Sequence, residues 1–565
     1  TITIAVSVLL STVVALTLSP VMCSLILKPD NGKKKNIVFR KINEWLNLGN
    51  HKYVAVINRV IRNPRRLMSA FGLVLVAIFI IHRLVPTSFL PVEDQGYFKI
   101  ELELPEGATL ERTRVVTDRA VQYLEKNPYV AYVQNVTGSS PRVGSNQARS
   151  ELTVILKPWE ERKGISIDKI MENVEKDLKE YPECRVYLST PPVIPGLGTS
   201  GGFEMQLEAR GEATFDNLVQ AADTLMYYAQ KHKELTGLSS SLQSEIPQLY
   251  FDVDRDKVKM LGVPLADVFS TMKAYTGSVY VNDFNMFNRI YKVYIQAEAP
   301  YREHKDNINL FFVKAKDGAM VPLTSLGNAS YTTGPGSIKR FNMFTTAVIR
   351  GSAAQGYSSG QAMEIMEQIA RDHLPDNIGL EWSGLSYQEK KAGGQTGLVL
   401  TLVFLFVFLF LAAQYESWTV PIAVLLSLPV AALGAYLGVV ICGLENDIYF
   451  QIGLVMLVGL AAKNAILIVE FAKVQVDKGG DLIQSAIHAA QLRFRPILMT
   501  SLAFVLGMLP MVLASGPGSA SRQAIGTGVF FGMIFAIVFG IVLVPFFFVL
   551  VYKTKAKVQH KIKKD

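Results

Sequence analysis

Seven apolar runs, each about as long as the roughly 20 residues a helix needs to cross a bilayer, leave this chain no purely water-soluble fold. They are Ile2–Leu27, Leu67–Leu84, Gly397–Ala413, Thr419–Leu444, Ile448–Phe471, Ile497–Ala514 and Gly526–Tyr552. Two come before a long polar stretch, Pro91 to Glu389, and five come after it. Hydrophobic residues make up 50% of the 565 and charged residues 19%, too apolar for a soluble protein and too charged for a bundle alone. The predicted class is therefore an α-helical transmembrane bundle carrying a large α+β region in water.

The formal net charge of +9 would suit a nucleic-acid binder, but its lysines and arginines flank the apolar runs. One cluster is Lys33, Lys34, Lys35, Arg40 and Lys41, and another is Lys553, Lys555, Lys557, Lys561, Lys563 and Lys564. Basic flanks mark the cytoplasmic side, so no nucleic-acid partner is expected and the C-terminus lies inside the cell. The Pro91 to Glu389 stretch then falls outside. The loop 443–447, which has no Lys or Arg, falls outside with it. In 36–66, Ile42, Trp45, Leu46, Val54, Ile57, Val60 and Ile61 recur at helical spacing among basic residues, which predicts an amphipathic helix on the membrane surface. Cys23, Cys184 and Cys442 form no CxxC and no disulfide framework. Because Thr1 opens inside an apolar run, residues are expected upstream of it.

Periodicity divides the chain as follows: 1–27 a span, 36–66 the surface helix, 67–86 a span, 91–202 a first βαβ module, 203–243 with 337–389 a second and split module, 244–336 an inserted subdomain, 395–552 five spans, and 553–565 a basic tail. In the first module Tyr97–Leu104 alternates, with Lys99, Glu101 and Glu103 on one face and Phe98, Ile100, Leu102 and Leu104 on the other. Two βαβ units in series predict a ferredoxin-like module. The apolar face packs on the module's helices, which turns Lys99 and Glu101 outward, as a solvated face or as a contact for a charged ligand. If covered, the two charges must pair with each other, with Arg142 or with that ligand. In the inserted subdomain Asp317-Gly318 predicts a hairpin turn.

Nothing in the sequence matches a P-loop. The one GxGxxG run, 196–201, follows Pro191-Pro192 and opens an alternating strand rather than a helix, so it reads as a loop. Lys463 sits in mid-span, ten positions from the next cytoplasmic basic residue, Lys473. That is about 15 Å of helix, too far for its stem to snorkel. A charge there costs about 2.5–3.5 kcal/mol on insertion scales, so Lys463 belongs either to a structural ion pair or to an ion relay. Asn464 adjoins it, and Glu470 follows two turns on along the same face. Arg493 precedes the next run and reads as an interfacial anchor or a relay member. Thr500 shares its face and reads as a hydroxyl bonded to its own helix or a relay member. Asp447 reads as an N-cap. His232, His304 and His373 are scattered, so no metal site is expected.

The run Gly459-Leu460-Ala461-Ala462-Lys463-Asn464-Ala465-Ile466-Leu467-Ile468-Val469-Glu470-Phe471 resembles the hydrophobe/amphiphile efflux branch of the resistance–nodulation–division pumps. So do Arg495-Pro496-Ile497-Leu498-Met499-Thr500-Ser501-Leu502, Pro86-Thr87-Ser88-Phe89-Leu90-Pro91, Tyr280-Val281-Asn282-Asp283-Phe284, Ser386-Tyr387-Gln388-Glu389 and Tyr415-Glu416-Ser417-Trp418. The resemblance covers essentially the whole chain. It implies the C-terminal half of a trimeric drug/proton antiporter in the inner membrane of a Gram-negative bacterium. Such a pump works with a periplasmic adaptor and an outer-membrane channel, uses no cofactor and is not an enzyme. It implies proton-relay positions at Lys463, Arg493 and Thr500, with Asp447 matching an acidic position of lesser weight and the essential aspartates lying in the other half. It implies a substrate pocket at Lys99, Glu101, Gly138, Ser139, Ser140, Thr153, Tyr187 and Ser189, with Gly138-Ser139-Ser140-Pro141-Arg142 matching the family's flexible loop between drug pockets. That pocket is more polar than the family's aromatic type, pointing to amphiphilic or charged substrates. Partner docking is implied at Val313, Lys314, Ala315, Lys316, Asp317 and Gly318. A heavy-metal exporter and a non-transport protein of the same architecture are the alternatives.

Overall fold

A computed structural model describes residues 2–26, 37–140, 144–162, 164–194, 201–242, 244–354, 356–393 and 396–562. Lys33–Lys35, Arg142, the glycine run at 196–200, Lys563 and Lys564 lie outside the described residues.

The outer region contains two sheets of the same connectivity. The first uses β1 (Tyr97–Glu103), β2 (Val130–Ser140), β3 (Gly144–Leu156) and β4 (Arg185–Ser189). Its order is β2-β3-β1-β4, antiparallel at every edge. Helices Leu110–Glu125 and Ile167–Leu178 supply the two crossovers. Thr109 and Ser166 start them by accepting the free amides of Arg112 and Lys169, which a helix cannot satisfy within its own first turn. Phe98, Ile100, Leu102, Leu152 and Val154 meet Ala120, Leu124, Ile170 and Val174 in a buried apolar core. The alternation in β1 thus puts its apolar face inward.

In the second sheet β5 (Phe203–Ala209) and β6 (Leu235–Ser240) precede a long insertion, β7 (Ile246–Val253) to β12 (Gly327–Gly334). After it come β13 (Lys339–Phe341), β14 (Phe344–Ala353) and β15 (Ile378–Trp382). β14 pairs β5 and β6, and β15 pairs β5. The order β6-β14-β5-β15 repeats that of the first sheet, with β13 added beside the start of β14, on the edge that β6 covers farther along. The insertion holds a β7–β12 ladder, the hairpins β8–β9 (Val279–Met286, Arg289–Ile295) and β10–β11 (Phe312–Lys314, Met320–Pro322), and its own core around Val258, Val268, Phe311 and Leu323.

Seven helices among the described residues are long and apolar enough to cross a membrane. They differ in detail from the apolar runs. The fourth breaks into Val420–Leu425 and Leu428–Cys442 around Ser427, where Pro429 withholds an amide. Leu482–Val512 is one helix, so Arg493 lies inside it rather than ahead of it, despite Pro496 and Pro510. The last span has a π-turn at Ala536–Gly540. Leu428–Cys442 and Ser519–Phe535 approach so closely that a Cβ on Gly434 would fall 2.6 Å from Phe535. Helix Ile37–Arg62 docks Tyr53, Ile57 and Ile61 on the bundle, with Tyr53 stacked on Phe494 at 4.7 Å. Asn63 and Pro64 then turn the chain into the next span.

Candidate functional site

Within the bundle, Lys463 lies on helix Ile448–Asp477 and Thr500 on helix Leu482–Val512. The next residue on each helix ties the two together. Asn464 Nδ2 donates to Ser501 Oγ at 3.0 Å, with both side chains buried. Lys463 and Thr500 are exposed. Lys463 has no ion pair or hydrogen bond among the described residues. The Thr500 hydroxyl bonds the carbonyls of Pro496 and Ile497, both at 3.1 Å. Arg493 stacks over Phe471 at 4.2 Å, and its Nε is buried without a partner among the described residues. Lys473 donates to the Tyr415 carbonyl at 2.6 Å and is engaged elsewhere. The sequence drew attention to Asn464 but not to its bond, since Ser501 is 37 positions away.

Asp447 is not brought to Lys463. It caps helix Ile448–Asp477, accepting from the Phe450 amide at 2.7 Å, and 16 residues of helix put Lys463 about 24 Å away. It belongs instead to a belt of carboxylates where the bundle meets the outer sheets. There Pro86–Phe89 pairs with the loop before Asp447: Asn446 N donates to Pro86 O at 2.9 Å and Ile448 N to Phe89 O at 3.2 Å. Thr87 O also accepts from Gly360 N at 3.3 Å, at the start of helix Ser359–His373 in the second sheet. Ser359 donates to Glu389 at 2.8 Å, and Glu93 receives the Ser521 amide at 2.9 Å. Burial, with Glu445 nearby, pushes both the Glu389 and the Asp447 carboxyls up to about 6. Burial raises Glu445 as well. Nothing in the sequence announces this belt, because its members come from three segments far apart in the chain.

In the first sheet the register sets Lys99 beside Thr153 and Ser189, and Glu101 beside Tyr187 and Glu151. Five of the predicted pocket residues therefore share one face. Their charges are paired within the sheet, by partners the sequence reading did not name. Lys99 binds Glu151 at 2.5 Å. Glu101 accepts from Ser140 at 2.5 Å and from the buried Arg149 at 3.3 Å, and Arg149 also holds Glu103 at 2.9 Å and Glu106 at 3.3 Å. Gly138, Ser139 and Ser140 are not a loop. They extend β2, where a bulge between Thr137 and Ser139 uses the positive φ of Gly138, +87°.

In the β10–β11 hairpin, Asp317 accepts from the Ala319 amide at 3.0 Å and Gly318 has φ +93°. Lys314, Lys316, Asp317 and Gly318 are exposed, whereas Val313 and Ala315 are buried in the insertion's core.

Residues 1–552 match the AcrB/AcrD/AcrF family. The chain is 38% identical over 557 residues to the multidrug/solvent efflux pump membrane transporter MepB of Pseudomonas putida, covering 97% of this chain and 53% of that one. It is 38% identical to the multidrug resistance protein MdtF and 37% identical to the multidrug export protein AcrF, both of Escherichia coli, covering 97% of this chain and 54% of each. The chain thus spans about half the length of the curated relatives it matches.

Proposed function

The chain belongs to the AcrB/AcrD/AcrF family of resistance–nodulation–division efflux pumps, and on that premise we propose that it works in a secondary active transporter that exports amphiphilic compounds in exchange for protons. The observation that carries the proposal is Lys463. A mid-span ammonium without a partner among the described residues costs too much to persist unless an opposite charge meets it from outside them. A carboxylate that loses that ammonium on protonation would couple proton passage to helix movement, with Asn464–Ser501 holding the two relay helices in step. The pumps named above export drugs and solvents, which favours amphiphiles over metal ions as cargo.

In this reading the two outer sheets are ferredoxin-like porter modules in the periplasm, supported by their shared strand order. The insertion serves docking through Lys314, Lys316, Asp317 and Gly318. The working unit is a homotrimer in the inner membrane, joined to an adaptor and an outer-membrane channel, with its C-terminus in the cytoplasm. Tyr187, Ser189 and Thr153 would offer cargo an amphipathic surface, and the internally paired Lys99 and Glu101 would shape that surface more than bind through charge. The test uses the full-length protein in sealed vesicles with an imposed pH gradient. A fluorescent amphiphile should move only while the gradient lasts and stop when a protonophore is added. Movement that persists without the gradient would reject proton coupling.

A further inference from the structure

Residues 37–66 carry seven Lys and Arg against one acid, Glu44. Arg40 pairs with Glu44 at 3.7 Å. Lys41, Lys52, Arg59, Arg62, Arg65 and Arg66 are all exposed and make no ion pair among the described residues. Their placement around helix Ile37–Arg62 is ordered. Lys41, Lys52 and Arg59 are spaced i, i+11 and i+18, so at about 100° per residue they fall within about 20° of one stripe. Leu46, Tyr53 and Ile57 form the docked face against the bundle. Between that face and the basic stripe stand Trp45, 64% exposed, and Val56, 44% exposed.

Read outward from the bundle, the helix surface thus runs from buried, to exposed and apolar, to cationic. A solvated helix has no reason to expose an indole beside its docked face. A helix at a bilayer surface does, because the indole and valine enter the acyl boundary while the lysines and arginine stay level with the phosphates. Arg62, Arg65 and Arg66 extend the cationic row around the elbow into the next span, which enters the membrane at once. Positive residues are common on cytoplasmic flanks. A single stripe with an apolar border, and with Glu44 beside Arg40 as its one acidic neighbour, goes further, since it matches the two-part chemistry of an anionic lipid.

We propose that the stripe Lys41, Lys52 and Arg59, bordered by Trp45 and Val56 and continued by the elbow arginines, is a binding surface for anionic phospholipid headgroups of the cytoplasmic leaflet. The proposal rests on the membrane orientation given above but not on transport, and its test reads lipid rather than efflux. The full-length protein is reconstituted in equal parts phosphatidylglycerol and phosphatidylcholine, re-extracted in mild detergent, and its retained lipids are weighed by mass spectrometry. The wild type should retain phosphatidylglycerol in excess. The triple variant Lys41→Gln, Lys52→Gln, Arg59→Gln should lose that preference by about tenfold or more, given the worth of each basic residue near an anionic surface. The control Lys233→Gln, Arg255→Gln, Lys259→Gln, which removes the same charge from the outer region, should keep it. Equal retention by wild type and triple variant overturns the proposal, and so does an equal loss in the control, which would make the effect one of overall charge.

Discussion

Arg149 and Lys463 are the two most instructive cations in the molecule, and they are treated in opposite ways. Arg149 lies in the aqueous region, yet it is 4% exposed and ringed by Glu101, Glu103 and Glu106. Lys463 lies in a membrane span, yet it is exposed and lacks any partner among the described residues. A charge buried in a fold must be met within it, because an unmatched buried ion costs several kcal/mol. A charge displayed mid-membrane without such a match is kept for something that arrives. The first is therefore a structural device, and the second is the cation that the proposed proton coupling would use.

The sharpest way to break this contrast is to delete Lys463. Lys463→Ala should leave expression and assembly of the full-length protein near normal while reducing efflux to background. Retained efflux would make Lys463 a mere structural ion. Deleting Arg149 should do the reverse. Arg149→Met strands buried carboxylates and should cost the first sheet about 3–5 kcal/mol, read as a lower thermal midpoint and early proteolysis in 91–194. A stable variant that transports poorly would instead give Arg149 a working role.

The carboxylate belt offers a milder test. Glu389 and Asp447 are lifted to about 6 from 4.5 and 3.8, so the folded joint keeps protons that the unfolded chain has released. Stability there is therefore greatest below about pH 4 and declines as pH rises through the 4–6 window. Acidifying from pH 7 to 5 should strengthen amide protection at Gly360 and Asn446, after correction for intrinsic exchange, by roughly 1–2 kcal/mol. Glu389→Gln should flatten the response. The smallest effect belongs to Asn464→Ala. It should cost about 1 kcal/mol, within the range of buried polar contacts between membrane helices, and slow efflux without abolishing it. Asn464→Ser, which can still reach a hydroxyl only through a shorter arm, should recover part of the rate.

Elements with a strong period were legible in the sequence. Tyr97–Leu104 declared its buried face by alternation, and the seven spans declared themselves by length. Lys463 was conspicuous because a mid-span charge beyond snorkelling reach of the cytoplasm must be met by a partner. What escaped were features assembled from distant segments. Arg149 gave no sign of its burial, since that depends on register with Glu103 and on Ser140 closing over Glu101. Gly138–Ser140, which the resemblance assigned to a flexible loop, extends β2 instead, because pairing with Gly144 and Ser145 overrides the poor strand preference of glycine and serine. The belt of Glu93, Glu389, Glu445 and Asp447 exists only once the bundle and the outer sheets meet.

The interruption of the second sheet bears on how the chain acquires its shape. In the first sheet the central pair joins Phe98 to Val154, whereas in the second it joins Met205 to Ile349, across the whole insertion. The entropy of closing the longer loop grows only with the logarithm of its length, so the finished sheet loses little by it. The rate is another matter, because distant pairings must wait for the chain between them. The first sheet should therefore form early, while the apolar face of β5, with Phe203, Met205 and Leu207, stays open until the insertion has condensed and delivered β14. During that interval β5 is an unpaired apolar edge, the segment most apt to pair with the wrong strand.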